Sequence, residues 1–132
     1  IHKWHADPDH PGAARELAHF GKTGFRGDRE GIAIYALNDG IGYVVCTDQI
    51  PGNTEYHVFP REGTASNPHD HRELKIFRGG ADETDGIEIV STALGARFPD
   101  GLMVAMNSGP KNFLYFRSRD IANAGPVRLR SR

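Results

Sequence analysis

The sequence predicts an all-β fold of short antiparallel strands, and three observations carry that expectation. Apolar residues alternate with period two in several short runs, the spacing of strands with one buried face. Sixteen glycines and eight prolines punctuate those runs with turns. A strand–turn–strand pattern near the middle of the chain then returns roughly 50 residues later, as repeated β units do.

The bulk properties narrow the function classes. At 132 residues the chain is one domain's worth of sequence, enough for a modest core. A hydrophobic content of 38% with a net charge of −1 argues against disorder and against a field that would hold nucleic acid. The tail Arg128–Arg132 is locally basic and reads as a strand end with solvated arginines. Cys46 is the single cysteine, so an intrachain disulfide and a cysteine-based zinc site are excluded. It stands in an apolar run and is expected to be a small buried side chain. No run of 18 apolar residues predicts a membrane span. The chain opens at Ile1-His2-Lys3-Trp4 without an initiator methionine or signal peptide, as a processed or truncated chain would.

Taken in order, Ile1 to His5 reads as a short strand, followed by the turn-rich loop Asp7-Pro8-Asp9-His10-Pro11-Gly12. Ala13–Phe20 fits either a two-turn helix, marginal at that length, or an edge strand over Arg15–Phe20. From Gly31 the period is regular: Ile32, Ile34 and Ala36 alternate with Ala33 and Tyr35. Asn38-Asp39-Gly40 predicts a hairpin turn into a second strand, Gly42–Gln49. Glu55–Phe59 and Glu73–Phe77 read as the third and fourth strands. After the loop Gly79–Thr84 come Gly86–Val90, Leu102–Met106, Asn112–Phe116 and Val127–Arg130, a second set of four. The offset is 55 residues from Gly31 to Gly86, 59 from Gly42 to Gly101 and 57 from Tyr56 to Phe113. Four-stranded units recurring in this way predict β-propeller blades. A closed ring needs about four blades or more, and this chain holds about two and part of another. A stand-alone β-sandwich of eight strands is the structural alternative.

The chemistry-bearing residues gather at the strand starts. Asp28 and Glu30 share one face of an extended segment and repel each other unless a cation lies between them. That arrangement suits calcium, a hard ion that takes six to eight oxygens; as a plain pattern, acid–x–acid–Gly is also that of a solvated turn. Asp48 and Gln49, at the far end of the paired strand, are placed to add oxygens. In the second unit Glu83 and Asp85 stand at the same spacing, with Asp82 and Glu88 around them. His69-Asp70-His71 has ligand types that suit zinc or copper but no further ligand nearby in sequence; His5 and His10 flank another loop. His57, inside a strand, reads as a packing or hydrogen-bonding residue. Neither a Gly-x-Ser-x-Gly elbow nor a P-loop is present. The run Asn107–Asn112 reads as a connecting turn.

In combination these residues resemble a known family. Asp28-x-Glu30-Gly31, Ile34-Tyr35, Asp39-Gly40-x-Gly42-Tyr43, Gln49 and Asn53 look like the later blades of the β-propeller phytases. The likeness continues through Tyr56, Thr84-Asp85-Gly86-Ile87, Leu94-Gly95, Phe98-Pro99-x-Gly101, Val104-Ala105 and Asn112-Phe113, and covers roughly residues 1–122. It implies a six-bladed propeller that removes phosphate from phytate or other inositol phosphates with calcium. It further implies that 1–27 is the remnant of one blade, 28–84 a second and 85–132 a third. By the same resemblance Asp28 and Glu30 are catalytic residues and calcium ligands, Gln49 is a further site residue, and Asp85 belongs to a calcium-associated segment. A calcium-activated water would attack phosphorus, with no side-chain nucleophile. An extracellular or periplasmic location follows from the family alone. This sequence departs from the pattern in a shorter Gly79–Thr84 loop and in Asn107-Ser108, where the family has Asp-Gly. The family's phosphate-holding lysines and arginines lie mainly in earlier blades. A non-catalytic binding or structural fragment is the alternative reading. Blade edges left open would favour self-association, and three copies of a two-blade unit would supply six blades.

Overall fold

The computed structural model describes residues 1–38 and 40–131. Asp39, expected in the hairpin turn, and Arg132, at the end of the basic tail, lie outside the described residues. The expected β architecture is present as three antiparallel sheets. A two-stranded ribbon pairs β1 (His2–Lys3) with β2 (Ala18–His19). A four-stranded sheet follows in the order β3 (Asp28–Ala36), β4 (Gly42–Gln49), β5 (Glu55–Pro60), β6 (Lys75–Arg78). A three-stranded sheet contains β7 (Ile87–Val90), β8 (Leu102–Asn107) and β9 (Asn112–Arg117), and a short helix α1 (Ser118–Asn123) closes the series. The four- and three-stranded meanders resemble propeller blade units.

Of the two repeated glycine pairs, Gly42 and Gly101 share a cause, whereas Gly31 is crowded by Ile87 and Asp85 and the Cβ site of Gly86 is open. Gly42 opens the second strand of its unit and Gly101 immediately precedes the second strand of the next, at positive φ, +147° and +94°. A Cβ would lie 2.2 Å from the Tyr35 carbonyl oxygen in the first case and 1.9 Å from that of Val90 in the second. A side chain at either position would collide with the end of the preceding strand, so both units require glycine at the same place.

The core lies between the two larger sheets. Tyr35, Val45, Tyr56, Val58 and Phe77 meet Ile89, Met103 and Ala105 across it. Tyr56 stacks on Phe77 at 4.9 Å and meets Phe116 edge-on at 6.2 Å. Burying each such side chain contributes about 1.5–3 kcal/mol. The opposite face of the first sheet is covered by the N-terminal segment: Phe20 packs edge-on against Phe59, and Phe25 stacks on His57. Covered on both faces, β4 and β5 are buried almost continuously, while β3 keeps the alternation its sequence shows.

The structure corrects two expectations and, for Ala13–Phe20, selects the strand alternative in shortened form over the helix. Val127–Arg130 is not a strand, so the second sheet has three strands. After α1, Gly125-Pro126 turn the chain, and proline has no N–H for a ladder. The Lys75 ammonium donates to the carbonyls of Ile121, Ala124 and Val127. Arg130 N–H donates to the Tyr43 hydroxyl, so the tail is tied to the first sheet rather than to β9. Ala13–Phe20 forms no helix: turns lead to a strand of two residues, Ala18–His19, whose partner is equally short. The strand expected at Glu73–Phe77 is displaced to Lys75–Arg78.

Candidate functional site

β3 does not enter its sheet as a regular strand. Asp28 pairs with Gln49 and Arg29 with Asp48, but the next regular pair is Ile32 with Cys46. Glu30 and Gly31 together stand opposite Thr47, a β-bulge of the kind that re-aims side chains beside active sites. The buried Thr47 hydroxyl accepts the Gly31 N–H at 2.7 Å and holds the bulge. Asp28, Arg29 and Glu30 are all exposed there. The Arg29 guanidinium is drawn away from the two carboxylates: it donates to the carbonyls of Gly21 and Lys22 and lies over the Phe25 ring.

The start of β7 meets this end of β3. A Cβ on Gly31 would lie 3.0 Å from the Ile87 nitrogen and 3.1 Å from the Asp85 carbonyl oxygen. The Gln49 side-chain amide donates to the Asp85 carboxylate. Asp85 is aimed by its buried neighbour Thr84, whose N–H donates to Thr54 Oγ1 at 3.1 Å. Asp28 thus stands opposite Gln49 in the register, with Glu30 in the bulge two residues on, and Gln49 reaches across to Asp85 of the next sheet. Among the described residues the carboxylates of Asp28, Glu30 and Asp85 do not form a three-ligand group within 4.8 Å. Asp82 points elsewhere. Its carboxylate accepts the Gly52 N–H at 2.6 Å and its own N–H donates to Asn107 Oδ1 at 2.9 Å. The Asn107-Ser108 turn thus anchors the Gly79–Thr84 loop.

A second cluster lies directly behind. Asp48, Glu55 and His57 are buried and offer ligand atoms within 4.8 Å of one another. Alternation puts Asp48 of β4 and Glu55 and His57 of β5 on one sheet face, and the register places Asp48 opposite Glu55. Asp48 accepts the N–H groups of Arg26 and Gly27 at 2.8 and 2.6 Å, which fixes the chain just before Asp28. Glu55 is bonded by Arg78 and by Arg26. Burial pushes its carboxyl up, and the two guanidiniums outweigh that and hold it below the usual range. His57 Nδ1 meets Glu73 Oε2 at 2.5 Å. This buried cluster can coordinate a metal ion. Among the described residues, the other three-ligand group of this kind is His2, Glu16 and His19 on the exposed ribbon.

His57 hydrogen-bonds and packs as its strand position suggests, but its carboxylate partners are distant in sequence. His71 bonds the Pro60 carbonyl at 2.7 Å and Lys3 Nζ at 3.1 Å, and His5 stacks on His10. Cys46 is buried, and burial pushes its thiol up to about 11. Sequence reasoning missed Glu55 and Glu73; Glu55-x-His57 beside Asp48 was the available signal, once the strand register is known.

Comparison with known proteins agrees with this architecture. The family described as Phytase matches residues 1–112, from the ribbon to the first residue of β9. A protein named 3-phytase from Bacillus subtilis (strain 168) is 34% identical over 83 residues, which is 61% of this chain and 21% of that protein. The chain thus spans about a fifth of the length of that relative. With the family matched over most of its length and blade-like sheets beneath the match, the chain belongs to the phytase family of hydrolases.

Proposed function

We propose that this chain carries part of the active site of a calcium-dependent phytase, which hydrolyses phosphate monoesters of phytate or other inositol phosphates. The observation that supports the reading best is the link between two successive sheets made by Gln49, which stands opposite Asp28 in the register and bonds Asp85, with Glu30 in the bulge near Asp28. The residue types suit calcium, and binding would have to draw together carboxylates that among the described residues do not form a group within 4.8 Å of one another. Asp28, Glu30 and Asp85 offer carboxylate oxygens, and Gln49, which spends its amide N–H on Asp85, retains its carbonyl oxygen. Among the described residues no ion pair engages Asp28, Glu30 or Asp85. Calcium bound there would offset the charge of the phosphates and supply a water activated for attack on phosphorus. Asp28 and Glu30 would hold the ion, Gln49 keeps Asp85 in position, and the Thr47-braced bulge keeps Glu30 at the surface.

On the same reading, residues 1–27 are the remnant of a preceding blade, 28–84 form one blade and 85–132 another. The packing of Phe20 and Phe25 on the outer face of the first sheet supports this division, because adjacent blades pack face to face. The location proposed for such an enzyme is extracellular or periplasmic. Among the described residues, no helix is long and apolar enough to cross a membrane.

The test is phosphate release from phytate with calcium and with chelator, in the longer parent protein and in this chain. Activity should require calcium in the parent and be low in the isolated chain. Asp28→Asn and Glu30→Gln should each lower the parent's activity at least about 10-fold, as loss of a metal-holding group does. Unchanged rates in both variants would remove the site assignment, and chelator-resistant activity would remove the metal.

A further inference from the structure

We infer that Asp48, Glu55 and His57 form a second cation site, separate from the proposed calcium site, which takes a first-row transition-metal dication such as zinc. The inference starts from a buried polar atom without a hydrogen-bond partner. His57 has no exposed surface, and its Nε2 makes no hydrogen bond. That nitrogen lies 3.7 Å from Asp48 Oδ2, too far for a hydrogen bond. Leaving a buried polar atom unsatisfied is costly, and folded proteins rarely do so.

The rest of the ring is arranged as metal-bound imidazoles are. Nδ1 donates to Glu73 Oε2 at 2.5 Å, since a carboxylate only accepts. This fixes the tautomer with the Nε2 lone pair directed toward Asp48, and a carboxylate behind the ring raises its basicity as a ligand. Phe25 stacks on the ring at 3.9 Å and sets its plane. Two zinc ligands at tetrahedral angles stand roughly 3.3 Å apart, given bonds of about 2.0–2.1 Å. The separation of Nε2 from Oδ2 is within a few tenths of an ångström of that. Asp48 is held by two backbone N–H groups, and Glu55 supplies the third ligand. The arginines that engage Glu55 are more than half exposed, so they can yield to an ion by turning into solvent. An imidazole with two carboxylates selects zinc-like ions over calcium, which prefers oxygen alone. The ion would tie the N-terminal segment, through Arg26 and Gly27 on Asp48, to β4 and β5.

The experiment loads the whole chain, stripped with chelator, with zinc and in parallel with cobalt(II), and measures retained metal after gel filtration. One zinc per chain is expected, unaffected by excess calcium, with the intense visible absorption of four-coordinate cobalt(II). Affinity should fall at least about 100-fold in His57→Gln and Asp48→Asn, and about 10–100-fold in Glu73→Gln. Glu73 is partly exposed, so that variant should keep the fold even where a core change does not. The double variant His2→Gln/His19→Gln should retain the metal. Three results would overturn the inference: no stoichiometric uptake, uptake lost with the ribbon histidines instead, or displacement by calcium. Asp28→Asn and Glu30→Gln should leave zinc uptake intact, so failure of the calcium reading and failure of this one are separable.

Discussion

Gly27 stands where the N-terminal segment is pinned to β4. Its N–H reaches Asp48, and a Cβ at this position would lie 2.0 Å from the Gln49 carbonyl oxygen. Replacement by alanine must therefore push backbone from backbone at the entrance to Asp28. Gly27→Ala should destabilise the chain by about 1–3 kcal/mol, as overpacking of a fitted contact does, read as a lower denaturation midpoint. An unchanged midpoint would show that the approach is looser than its geometry. Glycine here was legible in the sequence only as a break before the carboxylates; the reason it must be glycine lies 22 residues away, at Gln49. The same holds for His57. Its strand position was readable, but its neighbours Glu73 and Phe25 reach it from a separate loop and from the N-terminal segment.

Among the elements, the C-terminal stretch departs most from its sequence pattern. Val127–Arg130 carries strand-like alternation, yet Lys75 holds the Val127 carbonyl together with those of Ile121 and Ala124 at the end of α1. α1 is itself anchored by Arg119, whose guanidinium makes two bonds to the buried Asp100 carboxylate. The Arg119 hydrogen bond holds the Asp100 carboxyl below its ordinary range. A carboxylate depressed in the folded state adds stability above its unfolded pKa and loses it as pH falls through the folded value. Arg119→Gln should therefore unfold at a higher pH on acid titration. In urea titrations its stability gap from the parent should close below the usual carboxylate range. A gap constant with pH would show that the pair does not stabilise α1 electrostatically.

At the scale of the molecule, apolar surface and sheet edges remain open among the described residues. Ile32 and Ile34 on β3 and Phe113 and Tyr115 on β9 are exposed apolar side chains, and β6 and β9 are free sheet edges. Such surfaces favour association between copies. Light scattering at tens of micromolar should give a mass above the 14.5 kDa of one chain, and Phe113→Lys/Tyr115→Lys should lower it. A trimer tightened by calcium would fit closure of two-blade units into a ring; a strict monomer would remove the association.

The sequence by itself determined the strand periods and the turn glycines, because each depends on neighbours a few residues apart, and it showed the blade-like unit as that local pattern occurring twice. It also brought Asp28, Glu30, Gln49 and Asp85 to notice through their place in that repeat. Only the tertiary structure decided what lies against what. The pairing of Asp28 with Gln49, the reach of Gln49 to Asp85 and the bulge at Glu30-Gly31 depend on register and sheet packing. The burial of Asp48, Glu55 and His57 depends on Phe25 and the segment around it covering a face that alternation alone would leave open. Contacts between residues far apart in the chain carry no local period, and that is why the buried cluster was hidden while the strands were plain.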